Sequence, residues 1–181
     1  TVPACSECER GSGDGRQGAI NLDDEYMRHV ILVSEGAAGH PEAKQVSKRV
    51  SRSFARRKGL GHALANTARQ GYFPNEQGVL GPGLGIYYSP PRFERVIRKI
   101  IKGLYYHVYG AVLPDAALRI GVKMTRKEFL DRTSSMQPCK TLRLGTVVEA
   151  NFTPTGTEKP ACWTLSFYDA HFAAAITFAH S

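Results

Sequence analysis

A chain of 181 residues, 42% of them hydrophobic, can bury the core of one domain, or of one domain with a small appendage. Its formal net charge of +8, from 24 Lys and Arg against 16 Asp and Glu, favours an anionic partner, most simply nucleic acid. No apolar run reaches the roughly 18 residues of a membrane span, no secretory leader is legible, and four cysteines with two far apart do not form a secreted disulfide framework; the expectation is a reduced, cytoplasmic protein without a membrane partner.

The first residue is not Met, which suggests a processed or trimmed product. Residues 1–21 read as an irregular segment, "TVPACSECERGSGDG" and onward, and 22–181 as a single domain. Cys5 and Cys8 have the two-residue spacing that lets both thiolates turn towards one zinc ion from a tight knuckle. They would be half of a structural site. Cys139 is a candidate third ligand, and Cys162, beside Trp163, reads as a core thiol. The plain alternative is a pair of reduced thiols at an irregular terminus.

From Asn21 the pattern turns helical. Asn21 suits an N-cap, Asp23, Asp24 and Glu25 favour the positive end of the helix dipole, and Gly36 suits the far end. Leu22, Tyr26, Val30 and Val33 share one face. "HPEAKQVSKRVSRSFARRKG" predicts a second helix with Pro41 at its start and a narrow apolar stripe of Val46, Val50 and Phe54. The rest of that helix is basic: Lys44, Lys48, Arg49, Arg52, Arg56, Arg57 and Lys58. With Arg69, and with Glu42 the one acid, residues 40–69 carry +7. Such a face can neutralise phosphates and release counterions; its plain alternative is a solvated helix face. "HALANTARQ" continues the helical reading.

"GVLGPGLGIYYSPP" reads as a turn or hairpin. A dinucleotide-binding loop would sit between a strand and a helix, and no strand is predicted before it. "PPRFERVIRKIIKGLYYHVYG" is the clearest helix, started by Pro90 and Pro91 and ended by Gly110. Phe93, Val96, Ile97, Ile100, Leu104 and Val108 give it a broad apolar face, which predicts the central core helix. Its Arg92, Arg95, Arg98, Lys99 and Lys102 would extend the basic patch if the two helices lie side by side.

Beyond it the period falls towards two. Residues 118–124 predict a strand, 126–133 a short helix, and 141–152, 161–168 and 171–178 three strands, the last two joined by a turn at Asp169-Ala170. The expected class is α+β: a helical N-terminal half, a long central core helix and a small C-terminal antiparallel sheet. None of the six histidines has metal-ligand spacing to another His, and His107, among tyrosines, reads as a packing residue.

"VPACSECERGSG" followed by "LDDEYMRHVI" resembles the second half of the motif of bacterial HNH-endonuclease-like proteins of poorly defined function. "GLYYHVYGAVLP" and the closing "ACWTLSFYDAHFAAAITF" extend the likeness loosely. The resemblance implies a structural zinc shared between Cys5, Cys8 and a first Cys-x-x-Cys. It also implies a His general base next to Glu or Asp and a catalytic divalent metal. The sequence contains no such first pair followed by Glu-His or Asp-His, and Glu9 stands where the family carries Asn or His. The expectation is therefore an HNH-like protein, or the C-terminal part of one, that binds nucleic acid through the 44–58 helix. It would be a metal-dependent nuclease only if a longer natural chain supplied the absent element. The alternative is a non-enzymatic interaction module with a basic surface for nucleic acid or an acidic protein.

Overall fold

The computed structural model describes residues 20–32, 66, 68–74, 79–86, 89–137, 139–154 and 161–178. The chain divides into two compact units, one made of Thr1–Ala43 with Pro90–Ser181, the other of Lys44–Ser89.

In the first unit, helix α1 (Ile20–Leu32) takes in Asn21 rather than starting after it. Its buried residues Tyr26, Met27, Val30 and Ile31 recur at helical spacing, which fixes the face it turns inward. Helix α2 (Pro90–Tyr109) opens on two exposed prolines, whose missing N–H groups would have had no helical partner there. It buries Phe93, Val96, Ile97, Ile101, Leu104 and Tyr105. Gly110, at φ +65°, ends it and donates its N–H to the Tyr106 carbonyl at 2.8 Å. A Cβ at Gly110 would meet nothing within 4 Å, so backbone conformation rather than space calls for glycine. Tyr26 meets Phe93 edge-on, centroids 6.4 Å apart, which joins the two helices.

The organising element of this unit is a five-stranded antiparallel sheet. Its strands are β3 (Leu118–Met124), β4 (Lys140–Leu144), β5 (Val148–Pro154), β6 (Ala161–Phe167) and β7 (His171–Thr177), in the order β3-β7-β6-β5-β4. Strands β4 to β7 form a meander, and β3 closes the far edge on β7. Helix α3 (Arg126–Ser135) therefore carries the chain from one edge of the sheet to the other. Its start is a capping box: the Thr125 hydroxyl accepts the Glu128 N–H and the Glu128 carboxylate accepts the Thr125 N–H.

Period-two alternation decides what each sheet face carries. Trp163 pairs with Ala175 and Leu165 with Ala173, so large and small side chains interlock across β6 and β7. Phe152 stacks on Trp163 at 4.8 Å. His171, paired with Phe167, shares that face and lies 6.3 Å from the Phe93 ring of α2. The opposite face is more polar. There Thr164 meets Thr133 of α3 at 3.0 Å, and Phe172 packs on Phe129 of α3 at 4.8 Å. Helices α2 and α3 thus cover opposite faces. The Phe167–Ala170 turn between β6 and β7 has Tyr168 and Asp169 both at φ 53°, the geometry that follows the twist of a hairpin.

The second unit holds a two-stranded antiparallel hairpin, β1 (Ala68–Pro74) and β2 (Leu80–Ile86), with Gly71 opposite Gly83 and Tyr72 opposite Pro82.

The expected architecture of a helical N-terminal half, one long central core helix and a small C-terminal sheet is corrected by these elements. Helix and strand are about equal among the described residues, and the sheet is the larger assembly. Helix α2 is not a central helix. Its inward stripe is buried, while Arg95 and His107 are exposed, so it flanks the sheet instead of being enclosed. Ala68, Arg69 and Gln70, expected in a helical continuation, pair as a strand because β2 supplies their hydrogen bonds. The single strand expected over 141–152 is two, broken at Gly145, which has φ +62°. The helix expected over 40–58 lies outside the described residues.

Candidate nucleic-acid interface

The basic stripe of α2 is a set of helix clamps. Arg92 and Arg95 each donate from Nε to the Asp23 carboxylate at 2.6 Å, and the Asp23 side chain has no exposed surface. Burial alone would push that carboxyl up; the Arg95 and Arg92 guanidiniums outweigh it and hold it below the usual carboxylate range. The Arg92 guanidinium also sits 4.1 Å above the Tyr26 ring. Lys99 reaches Asp24 at 3.1 Å, Arg98 reaches Glu94 at 2.8 Å, and Lys102 reaches Asp115 at 3.0 Å. Asp115 is held below its usual range by the Lys102 ammonium, against a smaller opposing effect of burial and with help from Arg98. Five bases thus meet four acids. The stripe fastens α1 and the Asp115 loop to α2.

Sequence accounts for where the excess charge lies. The Lys44–Ser89 unit contains eight bases (Lys44, Lys48, Arg49, Arg52, Arg56, Arg57, Lys58 and Arg69) and one acid, Glu76, and so carries +7 of the chain's +8. The other unit sets sixteen bases against fifteen acids. The charge is segregated by unit, and a unit this unbalanced repels itself unless counterions or an anionic partner gather on it.

The seven basic residues predicted from Lys44 to Lys58 lie outside the described residues, as do Cys5 and Cys8. What the structure does describe in this unit is the hairpin. Arg69 is exposed and its Nη1 donates to the Asn66 and Ala68 carbonyls at 2.9 and 2.8 Å. Tyr72, one of the larger side chains of the hairpin, is 73% exposed, and Leu80 is 64% exposed. The sequence reading missed Tyr72 because it carried a helix through Ala68–Gln70. The available signal was the short run "ARQGYFP" set off by "NEQG", turn-type residues before a second run.

No cluster of three or more His, Cys, Asp or Glu that could hold a metal occurs among the described residues. Cys139 and Cys162 are free thiols, both half-buried, and the Cys139 sulfur lies 3.9 Å from the Lys140 carbonyl. The described donors thus do not form a zinc site of their own. No described helix is long and apolar enough to cross a membrane. No protein-family model, curated protein or solved structure matches the chain significantly.

Proposed function

We propose that this chain binds nucleic acid through its Lys44–Ser89 unit, with Lys44, Lys48, Arg49, Arg52, Arg56, Arg57 and Lys58 as phosphate contacts. The observation that carries this reading is the segregation of charge: +7 on one compact unit and near-neutrality on the other, whose α2 bases are held by acids. Neutralising phosphates releases condensed counterions, a drive that needs no base-specific contact. The HNH-like ancestry remains part of the proposal, supported by the Cys5-x-x-Cys8 segment followed by the Ile20–Leu32 helix. In that reading the two thiolates are half of a structural zinc knuckle, and a catalytic metal would need the first half of the motif. Binding rather than cleavage is therefore the activity proposed for these residues.

The test is binding of a labelled DNA duplex and a labelled single strand, followed by fluorescence anisotropy over a range of salt. If six or more phosphates are contacted, affinity falls about 10³-fold or more between roughly 50 and 200 mM salt. Changing Lys48, Arg49, Arg52 and Arg56 together to Glu abolishes the binding while circular dichroism stays unchanged. Binding that ignores salt, or survives the four changes, overturns the assignment. Binding of acidic proteins but of no nucleic acid favours the interaction-module reading instead.

A further inference from the structure

We infer that Tyr72 is a base-stacking residue, and that the anionic partner of the Lys44–Ser89 unit is nucleic acid with unpaired bases. The inference rests on the nucleic-acid reading above and narrows it.

Strand alternation and the hairpin register divide the two faces of β1 and β2 sharply. One face carries Gly71, Gly81 and Gly83, together with Arg69 and Phe73. The other carries Gln70 and Tyr72, with Pro82 directly opposite Tyr72 and Leu80 beside it. Gln70, Tyr72, Leu80 and Pro82 are all exposed, Tyr72 by 73%. The unbroken register sets them side by side on one face, one aromatic ring flanked by a proline and an aliphatic side chain.

A single exposed hydrophobe on a protein surface requires no explanation. Here the aromatic patch occurs in the unit that holds +7 of the chain's charge. A partner that satisfies both features offers dense negative charge and flat apolar rings together. Unpaired nucleic acid does so, with phosphates for the bases of the unit and nucleobases for the Tyr72 face. A duplex hides its base faces in the stack, so Tyr72 would gain nothing from it. An acidic protein does not repeat a flat ring beside each negative charge, as a strand of nucleic acid does.

The experiment compares a labelled oligothymidine of about 15 nucleotides with a duplex of equal length, using wild type, Tyr72→Ala, Tyr72→Phe and Tyr72→Trp. The wild type is expected to prefer the single strand. Tyr72→Ala weakens the single-strand complex by about 5- to 150-fold, the range for losing one stacked base, and leaves duplex binding unchanged. Tyr72→Phe and Tyr72→Trp retain affinity, and the new Trp is quenched on binding against a constant signal from Trp163, which is 1% exposed. Equal affinity of wild type and Tyr72→Ala for the single strand overturns the inference and leaves the phosphate-binding reading intact. Equal losses on single strand and duplex overturn the stacking role too. No binding of the wild type to either nucleic acid overturns both readings together.

Discussion

The Asp23 carboxylate, without exposed surface on the first helix, accepts the Arg95 Nε–H at 2.6 Å from a residue 72 positions further along the chain. Arg92 holds the other carboxylate oxygen at the same distance. The pair fixes the α1–α2 contact more specifically than apolar packing alone. It also leaves no way to remove the acid without stranding two guanidiniums that are about one-quarter and two-fifths exposed.

Asp23→Asn is therefore expected to cost about 2–3 kcal/mol in urea unfolding, below the roughly 3–5 kcal/mol for breaking a fully buried pair, because both arginines can recover some solvent. The same group predicts acid sensitivity. Its folded pKa is depressed, so the stabilisation is present above the unfolded value, about 3.8, and is lost as pH falls through the folded value. Stability measured from about pH 5 downwards should drop in the wild type and less steeply in Asp23→Asn. A variant with the wild-type slope would refute the role of this carboxyl.

His171 gives a separate pH dependence at higher pH. Burial beside Phe93 pushes its imidazole below the ordinary 6.5, and its buried Nε2 has no hydrogen-bond partner among the described residues. The unfolded chain then binds the proton first. Stability is full above about pH 6.5 and declines as pH falls from there through the depressed folded value. His171→Phe should remove this decline between about pH 7 and 5 and leave the Asp23 effect in place. Chemical denaturation at half-unit pH steps distinguishes the two.

Thr177 is fully buried, and its hydroxyl accepts the Ala161 N–H at 2.8 Å and donates to the Ala161 carbonyl at 3.2 Å. Thr177→Val keeps shape and volume but leaves those polar groups without that partner. The expected loss is about 1–3 kcal/mol. Thr177→Ser, which keeps the hydroxyl, should lose less. Equal losses in the two variants would mean that the methyl group, not the hydrogen bonds, matters at this position.

The charge assignments make opposite predictions for two sets of bases. Arg98 and Lys102 are engaged by Glu94 and Asp115, so changing both to Gln should alter DNA affinity by less than about twofold and barely change its salt dependence. Changing any two of Lys48, Arg49, Arg52 and Arg56 to Gln should reduce the slope of log affinity against log salt by about 2. A larger effect from the α2 pair would place the interface on the other unit.

Much of the local structure was legible in the residues. Pro90-Pro91 with Gly110 bounded α2, because breakers act within a turn or two of themselves. Trp163, Leu165 and Phe167 against Cys162, Thr164 and Ser166 announced β6 in the same way. The β1–β2 hairpin was legible only in part: "GVLGPGLGIYYSPP" reads as a turn or hairpin, whereas "HALANTARQ" reads as a helix although Ala68–Gln70 open β1. A strand with glycine at every second position has no apolar alternation of its own, and its identity depends on the partner that completes its hydrogen bonds.

The charge total and the location of its excess in 44–58 were determined by sequence alone, since formal charge depends on composition and not on neighbours. Which bases remain available for a partner was decided only by tertiary structure. Arg95 looked as free as Arg52 until the fold brought Asp23 against it across 72 residues of chain. Similarly, period two could say that Tyr72 lies on one face of a strand, but the pairing with Pro82 and the exposure of its ring belong to the folded chain. Local patterns report short-range geometry. Pairing of charges and exposure of rings belong to contacts between distant segments, and these exist only once the chain has folded.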